Sequence, residues 1–324
     1  MSGPSLLMIP THPGVQYHFT RVGLPTFFLG HWDQFRYWRP QEPNVVNVLP
    51  RFDEAQLDWG PAEFAALLDG RPVAGAPAGL QLPRWDIAWL MFNWQVKLFS
   101  DRPGKKLYRV AKVAELEEPE WDALLSRDDF AVVSFYPNTV AWLREKKGVE
   151  VPYVPLGLDP AAYGPWTGER AQVLSIIHSY RERGWHHRQY LEAMQGLPHL
   201  HVDHLDGAQE KFSYEGLQRL LRESRLYLHD GEQEYTITLI EALMTGMPIV
   251  SFRIPGIERY VVEGVNGFVC DGAAQVRERC RLLLSDEALA AKMGAASRAL
   301  AERDYAEASW RARWVELLGR FARG

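Results

Sequence analysis

The 324-residue sequence predicts an α/β protein built as two doubly wound domains. Three observations carry this. The second half alternates strand-length apolar runs with helices of 10 to 15 residues, the pattern of parallel βαβ units with right-handed crossovers. The first half carries five strand-length apolar runs separated by helical spacing and long irregular connections. Between the halves, 149–172 is a Pro- and Gly-rich stretch with the character of an inter-domain linker.

In the first half the expected strands are Leu6–Pro10, Thr26–Gly30, Val45–Leu49, Asp86–Phe92 and Phe130–Phe135. Helical spacing appears in PAEFAALLDG and EPEWDALLSRD, each opened by Pro or an acidic first turn. NTVAWLREKKG closes this half, with Asn138 expected as N-cap and Gly148 as C-cap. In the second half VLSIIHS, LHVDHL, RLYLH, PIVSF and GFVC are short apolar or strand-like segments, and GWHHRQYLEAMQGLP and SYEGLQRLLRES are helical. From Ala273 to Arg323 the chain is helical throughout, with Trp310 and Trp314 one turn apart on one face. The expected division is 1–155, 156–305 and a C-terminal helix, 306–324, returning to the first domain.

Composition narrows the function. Hydrophobic residues make up 47% and charged residues 24%, as in globular proteins. No apolar run approaches the roughly 18 residues of a membrane span. MSGPSLLMIPTHPG has no basic region before its apolar residues, which argues against a secretory signal. Two cysteines, Cys270 and Cys280, are too few for a disulfide framework or a cysteine metal site. These features point to a cytoplasmic protein. A net charge of −5 argues against a general nucleic-acid binder. The 12 tryptophans are expected mainly in cores, with some free to stack on sugars or bases.

One segment concentrates candidate chemistry. EYTITLIEALMTGMPIVSF (Glu234–Phe252) follows the strand RLYLH. In an open parallel sheet, ligands sit beyond the carboxyl ends of the strands. The helix starting near Thr236, Ile237 and Thr238 offers unpaired amides and a positive dipole end to a phosphate. Thr236 and Thr238 either cap that helix or donate hydroxyls to an anion. Glu241, on the second turn, can accept hydrogen bonds from a ribose. Gly246 and Pro248 end the helix. The ordinary alternative is scaffolding, since every βαβ unit has a capped helix and a turn at its exit.

This segment resembles the donor-site signature of the retaining glycosyltransferases with the GT-B fold, the family four or glycosyl transferases group 1 type. Three further blocks are similar in the same order: YVPLGLDPAAYGP at the linker, VLSIIHSYRERGW at the first donor-domain strand, and PGIERYVVEGVNGFVCDG after the signature. Together they cover about half the chain. The resemblance implies two Rossmann-like domains facing a cleft, a nucleoside diphosphate sugar as donor (a UDP- or GDP-sugar), no required cofactor or metal, and retention of anomeric configuration. It assigns catalytic roles to Arg183 and to Gln233 or Glu234. Counting eight back from Glu241 gives Gln233 where the family has Glu; either Gln233 fills that place or a one-residue shortening brings Glu234 into it. Donor contacts fall to Arg181, His178, Tyr235, Thr236, Ile237, Thr238 and Glu241. His178 stands where the family has Arg, and Arg183 where it commonly has Lys.

The first domain is expected to hold a sugar-containing or other hydroxyl acceptor. Thr11–Phe19 is expected as a loop, with Gly14 allowing close approach and Gln16 and His18 binding hydroxyls. Asn93 and Trp94 leave another strand at the cleft, where the family often has His. His199, His201 and Asp203 would share a strand face, with His204 beside them; a solvated strand end is preferred there to a metal site. Three rival readings remain: a catalytically weak nucleotide-sugar-binding or partner-binding module, an epimerase of the same fold, and a DNA-base glycosyltransferase suggested by the aromatic and basic residues of His31–Arg39.

Overall fold

The computed structural model describes residues 3–35, 40–111, 116–177, 184–202, 213–229 and 235–323. The chain forms two compact units, Met1–Pro155 with Trp310–Gly324, and Leu156–Ser309.

The first unit contains β1 (Leu6–Met8), α1 (Pro13–Thr20), β2 (Thr26–Phe28), β3 (Val45–Asn47), α2 (Pro61–Leu68), β4 (Ile87–Leu90), α3 (Asn93–Phe99), β5 (Lys105–Val110), α4 (Glu118–Leu125), β6 (Phe130–Ser134) and α5 (Pro137–Lys147). All six strands are parallel, in the order β3-β2-β1-β4-β5-β6. The order reverses between β1 and β4, so two chain segments leave neighbouring strand ends there.

β5 is a central strand that sequence periodicity passes over. Its KKLYRV sequence reads as polar, yet Lys106 and Arg109 are only 1% and 5% exposed. Lys106 is tolerated because its ammonium donates to Asp129 Oδ2 at 2.6 Å and to the Arg102 carbonyl at 2.5 Å. The segment Thr11–Phe19 is mostly helix rather than loop. Pro13 opens α1 with a preset φ, and His12 Nδ1 accepts from the Val15 amide at 3.3 Å. α5 begins at Pro137, so Tyr136 and not Asn138 is its N-cap; Gly148 ends it in the left-handed region.

The second unit contains β7 (Arg170–Ile176), α6 (Trp185–Met194), β8 (His199–Val202), α7 (Tyr214–Glu223), β9 (Ser224–His229), α8 (Ile237–Thr245), β10 (Ile249–Phe252), β11 (Gly267–Cys270), α9 (Ala273–Ser285) and α10 (Glu287–Tyr305). Its five parallel strands run β11-β10-β9-β7-β8, reversing between β7 and β9. Burial on both faces explains why β9, β10 and β11 are continuously buried. α7 places Leu217, Leu220 and Leu221 on one buried stripe, and the Ser213 hydroxyl caps the Gly216 amide at 3.0 Å.

α11 (Glu307–Arg323) follows a break at Ala306. Within the first unit, Trp314 meets Phe19 edge-on at 4.8 Å, and Phe19 stacks on Trp89 at 4.1 Å. Trp89, Trp121 and Trp314 are among the largest fully buried side chains, the core role expected of most tryptophans.

Candidate functional site

In the second unit the chain leaves β9 after His229 and resumes its described course at Tyr235, just before α8. Thr236 is the N-cap: its backbone is extended and its hydroxyl accepts from the Leu239 amide at 3.1 Å. Thr238 Oγ1 lies 3.2 Å from that hydroxyl and accepts from the Tyr227 hydroxyl at 3.0 Å. Both threonine hydroxyls therefore hold the helix start in place. The amides of Ile237 and Thr238 have no partner within the helix, by the geometry of any helix start, and the dipole adds positive potential there. Thr236, Ile237 and Thr238 are all half-buried.

Glu241 is wholly buried on the second turn, and its Oε1 accepts from the Tyr163 hydroxyl at 2.9 Å. Tyr163 is held from its backbone too, because Arg298 donates to the carbonyls of Tyr163, Met244 and Pro160. Arg298 thus ties the connector to the C-terminal end of α8. Gly246 terminates α8 at φ 91°, and its carbonyl meets Gly294 of α10 so closely that an added Cβ would lie 2.2 Å away. A cavity of about 540 Å³ lies at this C-terminal end, beside Trp166, Gly246 and Arg298.

Tyr235, expected to touch the donor, is 2% exposed and joins the row Tyr235–Tyr260–Tyr305, with centroids 6.2 and 6.0 Å apart. That makes it a packing residue. His178, Arg181, Arg183, Gln233 and Glu234 lie outside the described residues, as do Asp203 and His204. The strand-end histidines differ from each other. His199 is exposed, but His201 is 8% exposed, with Nδ1 2.8 Å from the buried Ser175 hydroxyl and its ring 5.2 Å from that of Tyr190. A solvated strand end therefore does not describe His201. Among the described residues no group of three or more His, Cys, Asp or Glu could hold a metal.

In the first unit, Gln16 is 0% exposed: its amide oxygen accepts from the Thr11 and His12 amides at 2.7 and 2.9 Å, and its NH₂ donates to the Ile9 carbonyl at 2.6 Å. Gln16 shapes the turn after β1 instead of offering its amide to a ligand. His18 is 2% exposed on α1, and Gly14 lies in that helix's first turn. Asn93 is the first residue of α3. Gln95 closes the turn before it by accepting from the Met91 and Phe92 amides at 2.6 and 3.2 Å. Trp94 faces differently. It lines a pocket of about 440 Å³ with Pro10, Thr11, Trp59, Phe64 and Phe92.

Tyr163 and the pocket's second wall are missing from the sequence-based sites. Tyr163 stands in the linker segment LDPAAYGP, where its hydroxyl was the available signal. Nothing in the periodicity links Trp59 or Gln56 to Trp94.

Residues 209–300 match the family model described as Glycosyl transferases group 1. No curated protein sequence matches the chain. Sucrose-phosphate synthase from Thermosynechococcus elongatus is similar in structure at TM-score 0.69 and 13% identity, over 99% of this chain and 100% of that one. A glycosyltransferase from Rickettsia africae gives 0.68 at 13% identity, over 99% of each chain. HepE from Anabaena, solved with UDP and glucose, gives 0.66 at 13% identity, over 97% of this chain and 99% of that one. At such identities these likenesses are of fold.

Proposed function

From the premise that this chain is a glycosyltransferase of the group 1 type with the GT-B fold, we propose that it moves a sugar from a nucleoside diphosphate sugar to a hydroxyl acceptor. The supporting observation is the start of α8. Two first-turn amides with no helical partner, held by Thr236 and Thr238, follow a strand at the topological switch point of a parallel sheet. That arrangement suits a diphosphate, and it falls inside the family match. HepE, a structural neighbour, has been solved with UDP-glucose, which favours a UDP-sugar as donor.

The reaction in this reading is retaining and metal-independent. The bond from the sugar's anomeric carbon to the phosphate oxygen breaks, and the nucleoside diphosphate leaves with that bonding pair. The acceptor oxygen bonds to the same face of the anomeric carbon, and its proton passes to the departing phosphate. Arg183, Arg181 and the amides of α8 would meet the charge that develops on the leaving group. Gln233 or Glu234 would contact the transferred sugar. Buried Glu241, already engaged by Tyr163, would support the ribose side of the site.

The test is a melting-temperature panel of UDP, GDP, ADP and dTDP sugars on wild type and Arg183→Ala, followed by turnover of the stabilising donor with and without glycoside acceptors. One nucleotide raising the melting temperature of wild type alone, with acceptor-dependent turnover, is the expected result. No shift at millimolar concentration overturns donor binding. Gln233 favours a second reading, binding without transfer, which the same assay would register as a shift without turnover. Turnover without acceptor would instead mark an epimerase.

A further inference from the structure

The pocket beside Trp94 belongs wholly to the first unit and opens where the sheet order reverses. Pro10 and Thr11 come from the segment leaving β1, and Phe92 and Trp94 from the segment leaving β4, its hydrogen-bonded neighbour. This is the position at which open parallel sheets take ligands. Its walls are aromatic. The rings of Phe64 and Trp94 are inclined by only 23°, with centroids 6.0 Å apart, and Trp59 meets Phe64 edge-on at 5.6 Å.

Two further facts define what fits. None of the described lining residues is charged. Gln56, also in the lining, is 3% exposed, and its NH₂ donates to the carbonyls of Arg51 and Gly75 at 3.1 and 3.0 Å. Those two bonds fix which end of the amide is nitrogen. Its Oε1 is left as a buried acceptor with no partner among the described residues. A buried acceptor of this kind is costly until a donor reaches it.

We propose that this pocket takes an uncharged sugar ring of the acceptor. The ring's C–H face packs on the aromatic wall around Trp94, and one hydroxyl donates to Gln56 Oε1. A phosphate or carboxylate would lose its hydration here and find no cation among the described lining residues. The described lining therefore favours neutral glycosides over sugar phosphates. This assignment of the ring to the acceptor rests on the glycosyltransferase reading; the preference for a neutral sugar rests on the pocket alone.

Saturation-transfer NMR on the full chain tests it, with methyl α-D-glucoside, methyl α-D-galactoside, methyl α-D-mannoside and glucose 6-phosphate as probes. At least one methyl glycoside should bind more tightly than glucose 6-phosphate. Its affinity should fall about tenfold in Trp94→Ala, the loss of roughly one aromatic contact, and recover in Trp94→Phe. Leu57, 61% exposed at the pocket, supplies a variant that leaves packing intact, and Leu57→Asp should also weaken the glycoside. Binding of no methyl glycoside, tighter binding of glucose 6-phosphate, or glycoside binding unchanged in both folded Trp94→Ala and Leu57→Asp would each overturn the proposal. A UDP titration runs in parallel. UDP silent while a glycoside binds in a Trp94-dependent manner would sink the transferase reading and leave the pocket assignment standing.

Discussion

The Tyr163 hydroxyl donates to Glu241 Oε1 at 2.9 Å, joining the connector after Leu158 to the second turn of α8 inside one unit. The bond is fully buried, and Arg298 fixes the same tyrosine through its carbonyl. Position 163 therefore sets the carboxylate on which the proposed ribose contact depends.

Tyr163→Phe keeps the ring and removes the hydroxyl, which donates to Glu241 and accepts from the Tyr214 hydroxyl at 3.5 Å. Losing one partner of a buried acceptor costs about 1–3 kcal/mol, which a urea unfolding curve resolves. Nucleotide affinity should weaken as well, because Glu241 would lose the bond that orients it. Unchanged stability would show that the hydroxyl does not hold Glu241.

A close backbone approach makes the next outcome specific. A Cβ on Gly294 would sit 2.2 Å from the Gly246 carbonyl, which α8 and α10 cannot both accommodate. Gly294→Ala should destabilise by about 1–3 kcal/mol through overpacking. Gly319, inside α11, meets nothing nearer than the Arg323 side chain at 3.5 Å. Gly319→Ala should therefore stabilise by about 1 kcal/mol, the helix-propensity difference alone. The two shifts in denaturation midpoint should have opposite signs.

Acid sensitivity should centre on Asp129. Arg127 donates to both its carboxylate oxygens at 2.9 Å and Lys106 adds a bond at 2.6 Å, holding the carboxyl far below the usual carboxylate range. A pKa lower in the folded chain than in the unfolded chain gives stability that is complete above the unfolded value, about 4, and lost as pH falls below it. Asp129→Asn leaves the buried Lys106 ammonium with the Arg102 carbonyl but no carboxylate, at a cost of about 2–3 kcal/mol near neutral pH. The gap between wild type and variant should narrow steadily as pH falls below about 4 and close only once pH passes below the depressed folded value. A gap independent of pH would rule out the ion pair as its source.

These residues also show what the sequence made legible. The second half could be read strand by strand, because doubly buried strands such as RLYLH and PIVSF are apolar runs and α8 between them is capped by Thr236 and Gly246. β5 escaped because Lys106 and Arg109 are paired or packed only through tertiary contacts, with Asp129 and the Phe135 ring. α1 escaped because a Pro-Gly start looks like a turn until His12 is seen to cap it. On the site, the local geometry at Thr236 was readable from spacing alone. The Tyr163–Glu241 bond spans 78 residues, and the Trp94 pocket gathers four separate segments, so neither has a local signature.

The helix start of α8 allows its amide to be removed without disturbing the fold. Ile237 is the first helical residue, and Thr236 before it is extended, at φ −138° and ψ 154°. Proline is accepted at a first helical position, where its φ suits the helix and the missing N–H had no helical partner, and it favours an extended residue before it. Ile237→Pro therefore deletes one candidate phosphate donor while the Thr236 cap on Leu239 survives. Ile237→Val controls for the side chain. A hydrogen bond to a charged phosphate contributes about 1.5–3 kcal/mol, so affinity for the stabilising nucleoside diphosphate should fall about tenfold or more in Ile237→Pro and stay near wild type in Ile237→Val. Isothermal titration reads both, and the melting temperature confirms that each variant folds. Equal affinity in a folded Ile237→Pro would mean that the phosphate does not meet this amide, leaving the Thr238 amide and the arginines at 181 and 183 as its proposed donors.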